Sequence, residues 1–145
     1  MVQLSPDHDV NGWTYAAGYA YPDSSIIGFS HTHFSGVGMT TGGDILVMPT
    51  VGDKIQTSAG SKDNPDSGYR SRYDKKDESA SPGYYSVFLK DSHIKAELTA
   101  TKRVGVHRYT FPESRKSTIL LDIGHEIGGN AESGESLVKM TNDST

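Results

Sequence analysis

Apolar residues along this chain fall into short runs or recur at a spacing of two, and no stretch keeps helical periodicity over three turns. Two of the runs, Ile26, Ile27 and Phe29, then Ile45 to Met48, enclose His31, Thr32 and His33. They also enclose a loop of Ser35, Gly36, Gly38, Thr40, Gly42 and Gly43 that ends at Asp44. Glycine admits backbone conformations that other residues avoid and lets a ligand approach closely, so two strand-like runs joined in this way predict structure presenting chemistry. The stretch from Ile26 to Pro49 is the one around which the chain is organised.

Upstream, Trp13, Tyr15, Tyr19 and Tyr21 crowd together before the turn signal Pro22-Asp23, and their spacing of two predicts that each pair shares a face of an extended segment. Downstream, residues 55 to 81 are polar and aperiodic, which predicts a functional or disordered insertion between strands, with Tyr69 and Tyr73 favouring partial order. Tyr84 to Leu89 read as a strand. Ala96, Leu98 and Ala100 alternate with Lys95, Glu97, Thr99 and Thr101, and Val104 and Val106 keep that parity, so the run to Phe111 reads as one strand with a bulge at Gly105. Ile119 to Ile123 is a continuous apolar strand of the buried kind, and Leu137 to Met140 is the start of another. Many short strands with glycine-rich connections predict an all-β fold, an antiparallel β-sandwich.

Length adds that 145 residues make one domain, residues 1–145, with neither an internal repeat nor an internal boundary. Fourteen Lys and Arg against eighteen Asp and Glu give a net charge of -4 without a basic face, which argues against nucleic acid as a partner. Cysteine is absent, so there is no disulfide framework. No apolar run approaches the roughly 18 residues of a spanning helix, and the first ten residues lack the basic and apolar regions of a secretory leader.

His31 and His33 on an extended strand would share a face, a geometry that can bind zinc with Asp44 or His125 as a third ligand, although histidines lining a cleft or packing a loop are the plainer reading. Trp13 and its tyrosines suit the C–H face of a sugar ring, or equally a core. Asp44 either accepts sugar hydroxyls or bonds the Gly42-Gly43 turn. Glu97 and Glu126 can pair as glycosidase carboxylates only if the fold sets their separation. His125-Glu126 does not continue into H-E-x-x-H, and Ser35 lacks the glycine two residues before it that a nucleophile elbow needs.

The segments MVQLSPD, GYAYPDSSIIGFSHTHFSGVG, GDILVMPTVG, YRSRYDKKDESASPGYYSVFL, IKAELTATKRVGVHRYTFP and ILLDIGH resemble, in order, the amino-terminal domain of glycoside hydrolase family 92, the α-mannosidases. The resemblance implies a β-sandwich packed on a larger (α/α)6 catalytic domain, in a secreted, periplasmic or cell-surface enzyme. It implies removal of α-linked mannose with inversion, with calcium as the cofactor and its ligands mostly outside this chain. By the same resemblance the catalytic acid and base are expected in the helical domain, so that this chain is expected to carry no catalytic residue and to supply one wall of a cleft through Trp13, His31, His33 and Asp44. A stand-alone carbohydrate-binding module and a small metallohydrolase built on His31 and His33 are the competing readings.

Overall fold

A computed structural model describes residues 2–11, 13–33, 42–53, 56–113, 116–128, 136–139 and 141–142, with the backbone alone at Trp13. The described strands are β1 (Ser5–Asp7), β2 (Ser25–Ile26), β3 (Gly28–Ser30), β4 (Leu46–Val51), β5 (Ser71–Arg72), β6 (Glu78–Ser81), β7 (Tyr84–Leu89), β8 (Ile94–Ala100), β9 (Gly105–Thr110) and β10 (Ser117–Asp122). They form a four-stranded sheet β1-β3-β4-β10, a four-stranded meander β6-β7-β8-β9 and a short ribbon β2-β5. Every pairing is antiparallel. Among the described residues there is no α-helix, and the fold is all-β, as the sequence pattern predicts.

Alternation explains the packing of the meander. Ile94, Ala96 and Leu98 of β8 point inward beside Val87 and Leu89 of β7, while Lys95 and Thr99 face out. Phe29, Leu46 and Met48 of the first sheet complete the same apolar cluster, and the Phe29 and Tyr109 rings lie 6.1 Å apart across the sheets. Leu46 sits directly over Gly28, where a Cβ would come within 2.6 Å of its side chain. The backbone there has φ +155°, so glycine satisfies both the space and the conformation.

Four local expectations change. Trp13 to Tyr15 form a 3-10 turn rather than an extended segment, closed by Gly18 N–H to Tyr15 O at 2.8 Å. The run from Ile94 to Phe111 is a hairpin, not one bulged strand. Its turn, Thr101 to Val104, has no glycine, proline, asparagine or aspartate, and Thr101 Oγ1 supplies the turn chemistry by accepting Val104 N–H at 3.1 Å. A four-residue turn reverses the facing parity, so Val104 and Val106, which continue the spacing of two in the sequence, are 55 and 45% exposed, and His107 and Tyr109 turn inward opposite Leu98 and Ala96. Ile119 to Ile123 is buried on one side only, because no layer among the described residues covers the side of Ile119, Leu121 and Ile123. Ser136 to Lys139 form no strand, and Met140 lies outside the described residues.

The polar stretch is largely ordered. It contributes β5 and β6, two 3-10 turns, and the buried Tyr69, Arg70, Ser71 and Tyr73. Phe29→Ala would leave a void between the sheets and is expected to lower stability by about 3–5 kcal/mol in urea unfolding; a loss below about 1 kcal/mol would mean that the two sheets do not share this core.

Candidate functional site

Asp7, at the end of β1, has no exposed surface, and its carboxylate gathers three donors. His33 Nε2 lies 2.7 Å from Oδ1, while Ser30 Oγ at 2.6 Å and His125 Nε2 at 2.9 Å reach Oδ2. His33 Nδ1 is also 2.6 Å from the carbonyl of Gln3. Two acceptors at its two nitrogens make His33 an imidazolium, since a neutral ring has only one N–H. Burial alone would raise the Asp7 carboxyl, but the bonds from His125 and His33, the His33 charge and Ser30 hold it below the ordinary 3.8. Burial would lower His33, and the bond to Asp7 and its charge outweigh that and raise it above 6.5.

Gly18 makes room for this knot. A Cβ there would collide with Asp7 Oδ1 and come within 2.9 Å of His33 Nε2, and φ at Gly18 is +76°. His8 N–H to Gly18 O at 3.0 Å brings the turn over the carboxylate.

The rim above Asp7 is cross-linked through the backbone. Gly43 N–H reaches Thr32 O at 2.5 Å, Ile127 N–H reaches Gly42 O at 2.8 Å, and Gly128 N–H reaches Val10 O at 2.7 Å. Asp44 is bound on both sides by one hydroxyl: Thr32 Oγ1 donates to Oδ2 at 2.7 Å and accepts Asp44 N–H at 2.9 Å. Ile45 follows with φ +56°, a strained conformation for a β-branched residue. Its carbonyl accepts His31 Nδ1–H at 2.9 Å.

His31 and His33 therefore point to different partners. With its Nδ1–H given to Ile45, His31 turns Nε2 to His107 Nε2 at 2.9 Å, where the two rings share one proton, and His107 Nδ1 lies 2.6 Å from the Tyr109 hydroxyl. This relay joins the two sheets. Burial and then the neighbouring His31 push His107 down to about 4.

Beside the rim, a cleft of about 460 Å³ is lined by Asp9, Asn11, Arg70, Asp122, His125 and Glu126. A second cleft, of about 470 Å³, shares Asp9 and Asn11 and continues along Tyr15, Lys62 and Asp63. Arg70 is buried, giving Nη1–H to Ser25 Oγ at 3.0 Å, Nε–H to Ala59 O at 3.3 Å and Nη2–H to His8 O at 3.4 Å. Carboxylates, an amide and a guanidinium around an open cleft suit a neutral polyhydroxylated ligand better than an anion or an apolar one.

Glu97 belongs elsewhere. It lines a hollow on the outer face of β7–β9, held by Arg108 Nε and Nη2 at 2.8 and 2.6 Å and by Tyr84 Oη at 2.6 Å, and Arg108 first, then Tyr84, lower it to about 2. Glu97 and Glu126 thus line separate clefts. The tyrosines are occupied too: the rings of Tyr19, Tyr21 and Tyr73 surround Lys75 Nζ at 5.0, 4.7 and 4.7 Å, and Glu78 Oε2 caps it at 3.1 Å.

The family model for the glycosyl hydrolase family 92 N-terminal domain matches residues 1–145. This chain is a family 92 N-terminal domain. It superposes on a family 92 α-mannosidase of Bacteroides thetaiotaomicron, solved with mannoimidazole, with TM-score 0.85 and 42% identity, covering 88% of this chain and 17% of that one. It superposes on an inverting family 92 mannosidase of the same organism with TM-score 0.62 and 25% identity, covering 84% of this chain and 15% of that one. An uncharacterized secreted glycosidase of Arthroderma benhamiae is 30% identical over 109 residues, 73% of this chain and 14% of that protein. The family 92 domain thus spans less than a fifth of the length of these relatives.

Within this family 92 domain, His33 and His125 meet on the Asp7 carboxylate, and Asp44 is held by Thr32 next to His33 in the chain. His31 leaves that group for His107. Trp13 opens its turn two residues after Asn11, its side chain lying outside the described residues, as do Ser35, Gly36, Gly38 and Thr40. Among the described residues no three His, Asp or Glu side chains converge to hold a metal, so the zinc set of His31, His33 and a third ligand is not assembled. Asp7, Arg70 and His107 escaped sequence reasoning; the one available signal was that Asp7 closes the segment MVQLSPD.

Asp7→Asn removes the counter-charge of a buried imidazolium and is expected to destabilise the chain by about 3–5 kcal/mol at neutral pH, measured by urea unfolding. A loss under about 1 kcal/mol would mean that His33 is not charged. The pH profile has two limbs. His33, raised in the fold, stabilises fully below 6.5, and that contribution disappears as pH climbs through its folded value. His107 and His8, each lowered to about 4, act oppositely: their contribution is full above 6.5 and disappears as pH falls toward 4. In an NMR titration the His107 ring is expected to titrate near pH 4, and a midpoint near 6.5 would break the relay.

Proposed function

We propose that this domain is the amino-terminal sandwich of a longer, calcium-dependent, inverting exo-α-mannosidase, where it forms one wall of the active-site cleft and performs no chemistry alone. The observation that carries this reading is the superposition on a family 92 α-mannosidase at 42% identity over 88% of the chain. The open polar cleft beside the Asp7 knot is consistent with it, because its amide, carboxylates and guanidinium match the alternating donors and acceptors of sugar hydroxyls. Trp13, His31, His33 and Asp44 are proposed as the wall: Trp13 as a face for the sugar ring, His31 and Asp44 at the surface, and His33 behind them, holding the rim through Asp7.

Inversion requires one carboxylic acid to protonate the leaving oxygen and one carboxylate to activate water, about 6.5–9.5 Å apart. Glu97 is committed to Arg108 and Tyr84, and Asp7 is sealed from water, so neither serves; from the family resemblance the acid and base are assigned to the remainder of the parent protein. Calcium takes six to eight oxygen ligands, and from the family resemblance these are assigned mostly to residues outside this chain. The parent is proposed to act outside the cytoplasm, since one relative is a secreted glycosidase.

A free-standing sugar-binding module would need an open aromatic platform, and because Tyr19, Tyr21 and Tyr73 surround Lys75, that reading depends on Trp13. The full parent protein is expected to hydrolyse an aryl α-mannoside, to lose that activity in EDTA and to regain it with calcium. These 145 residues alone are expected to be inactive and to give no heat with millimolar mannose. Activity of the isolated chain, or full activity of the parent in EDTA, would overturn the corresponding part.

A further inference from the structure

Strand β10 presents its apolar side to water. Thr118, Leu120 and Asp122 turn inward, while Ile119, Leu121 and then Ile123 are 50, 58 and 38% exposed. Antiparallel partners share a face, so the register Ile119–Pro49, Leu121–Val47 and Val47–Phe29 makes this stripe the continuation of the face on which Phe29 and Val47 are buried. The meander that covers Phe29 does not extend over it.

β10 is also the last strand of its sheet, so its outer N–H and C=O groups have no ladder partner among the described residues. Edge strands left to solvent usually carry a lysine, a proline or a bulge, and Ser117 to Asp122 has none of these. The meander shows what a wet face looks like in this same chain: Lys95, Thr99, Arg108 and Thr110 stand outward there. The run Ile119-Leu120-Leu121 has the pattern of a strand covered on both faces, and only one face is covered here.

We infer that β10 is an interdomain strand, its Ile119, Leu121 and Ile123 stripe and its free edge covered by an apolar face of the polypeptide that the parent protein carries beyond these 145 residues. The inference rests on the family reading for the existence of that polypeptide. Two observations select this occupant over a second copy of the chain. The relatives are several times longer than the family 92 domain, which fills 14 to 17% of them. Three partly exposed side chains also fall well short of the roughly 800 Å² per partner that a stable pair of free chains buries. A covalently attached domain needs no such area, because tethering gives it a high effective concentration.

The absence of cysteine from these residues allows a direct test in the full-length parent. Leu121→Cys and, in case that variant fails to fold, Ile123→Cys are compared with Thr110→Cys on the polar outer face, using a maleimide and peptide mapping. The β10 thiols are expected to react at least about tenfold more slowly than the Thr110 position in the native protein and equally fast in urea. Equal native rates would overturn the inference, and so would protection that appears only at high protein concentration together with a doubled mass. Failure of the family reading would be seen separately, as an intact mass near 15.7 kDa before any labelling.

Discussion

The Asp7 carboxylate has no exposed surface, and its donors lie 26, 23 and 118 positions away in the chain. Burying an ion is costly, and the cost is offset only when geometry and hydrogen bonds are complete. Here they are: the His33 imidazolium, the His125 Nε2–H and the Ser30 hydroxyl divide the two oxygens, and the second nitrogen of His33 is satisfied by Gln3 O. The knot therefore enforces long-range order that apolar packing leaves loose. The segment after β3 must return to β1, and the segment after β10 must fold back over both. Gly18 is part of the same constraint, since any side chain there would occupy the space of the carboxylate.

From this constraint the rim follows. His33 fixes the chain just beyond Thr32, and Thr32 in turn binds the Gly43 amide and Asp44 by backbone and hydroxyl. Ile45 then accepts a positive φ, a conformation costing on the order of 1–3 kcal/mol, and its carbonyl is held by His31. Strain of this kind persists only where neighbouring contacts over-determine it. At this position those contacts are the Thr32 cross-link on one side and the six-residue strand β4 on the other.

The sheet architecture was legible in the sequence because alternation along β8 and the compact runs at β3, β4 and β7 carry their own face information. The Asp7 hub was not. Polar residues that satisfy one another at distances of 23 to 118 positions leave no periodicity, and the same letters serve equally well in a solvated loop. His31 and His33 illustrate the limit from the other side: parity on an extended strand put both rings on one face, but β3 ends at Ser30. Beyond that point the alternation rule no longer applies, and one ring goes to Asp7 while the other goes to His107. Tyr19 and Tyr21 show the same limit, because their role depends on Lys75, which lies in a stretch without periodicity.

The relay from Tyr109 through His107 and His31 to Ile45 adds a second tie, of different character from the first. The Asp7 knot is ionic, whereas the relay is a hydrogen bond between two imidazoles, whose facing Nε2 atoms 2.9 Å apart leave room for one proton between them and so cannot both carry an N–H. The two ties thus take His31 and His33, only two positions apart in the chain, to different partners. A carboxylate is bonded to one ring and a second imidazole to the other. Removing either partner would release one of the two rings that hold the chain as it leaves β3. The rim is consequently set by hydrogen bonds in the layer beneath it as much as by the packing of the sheets.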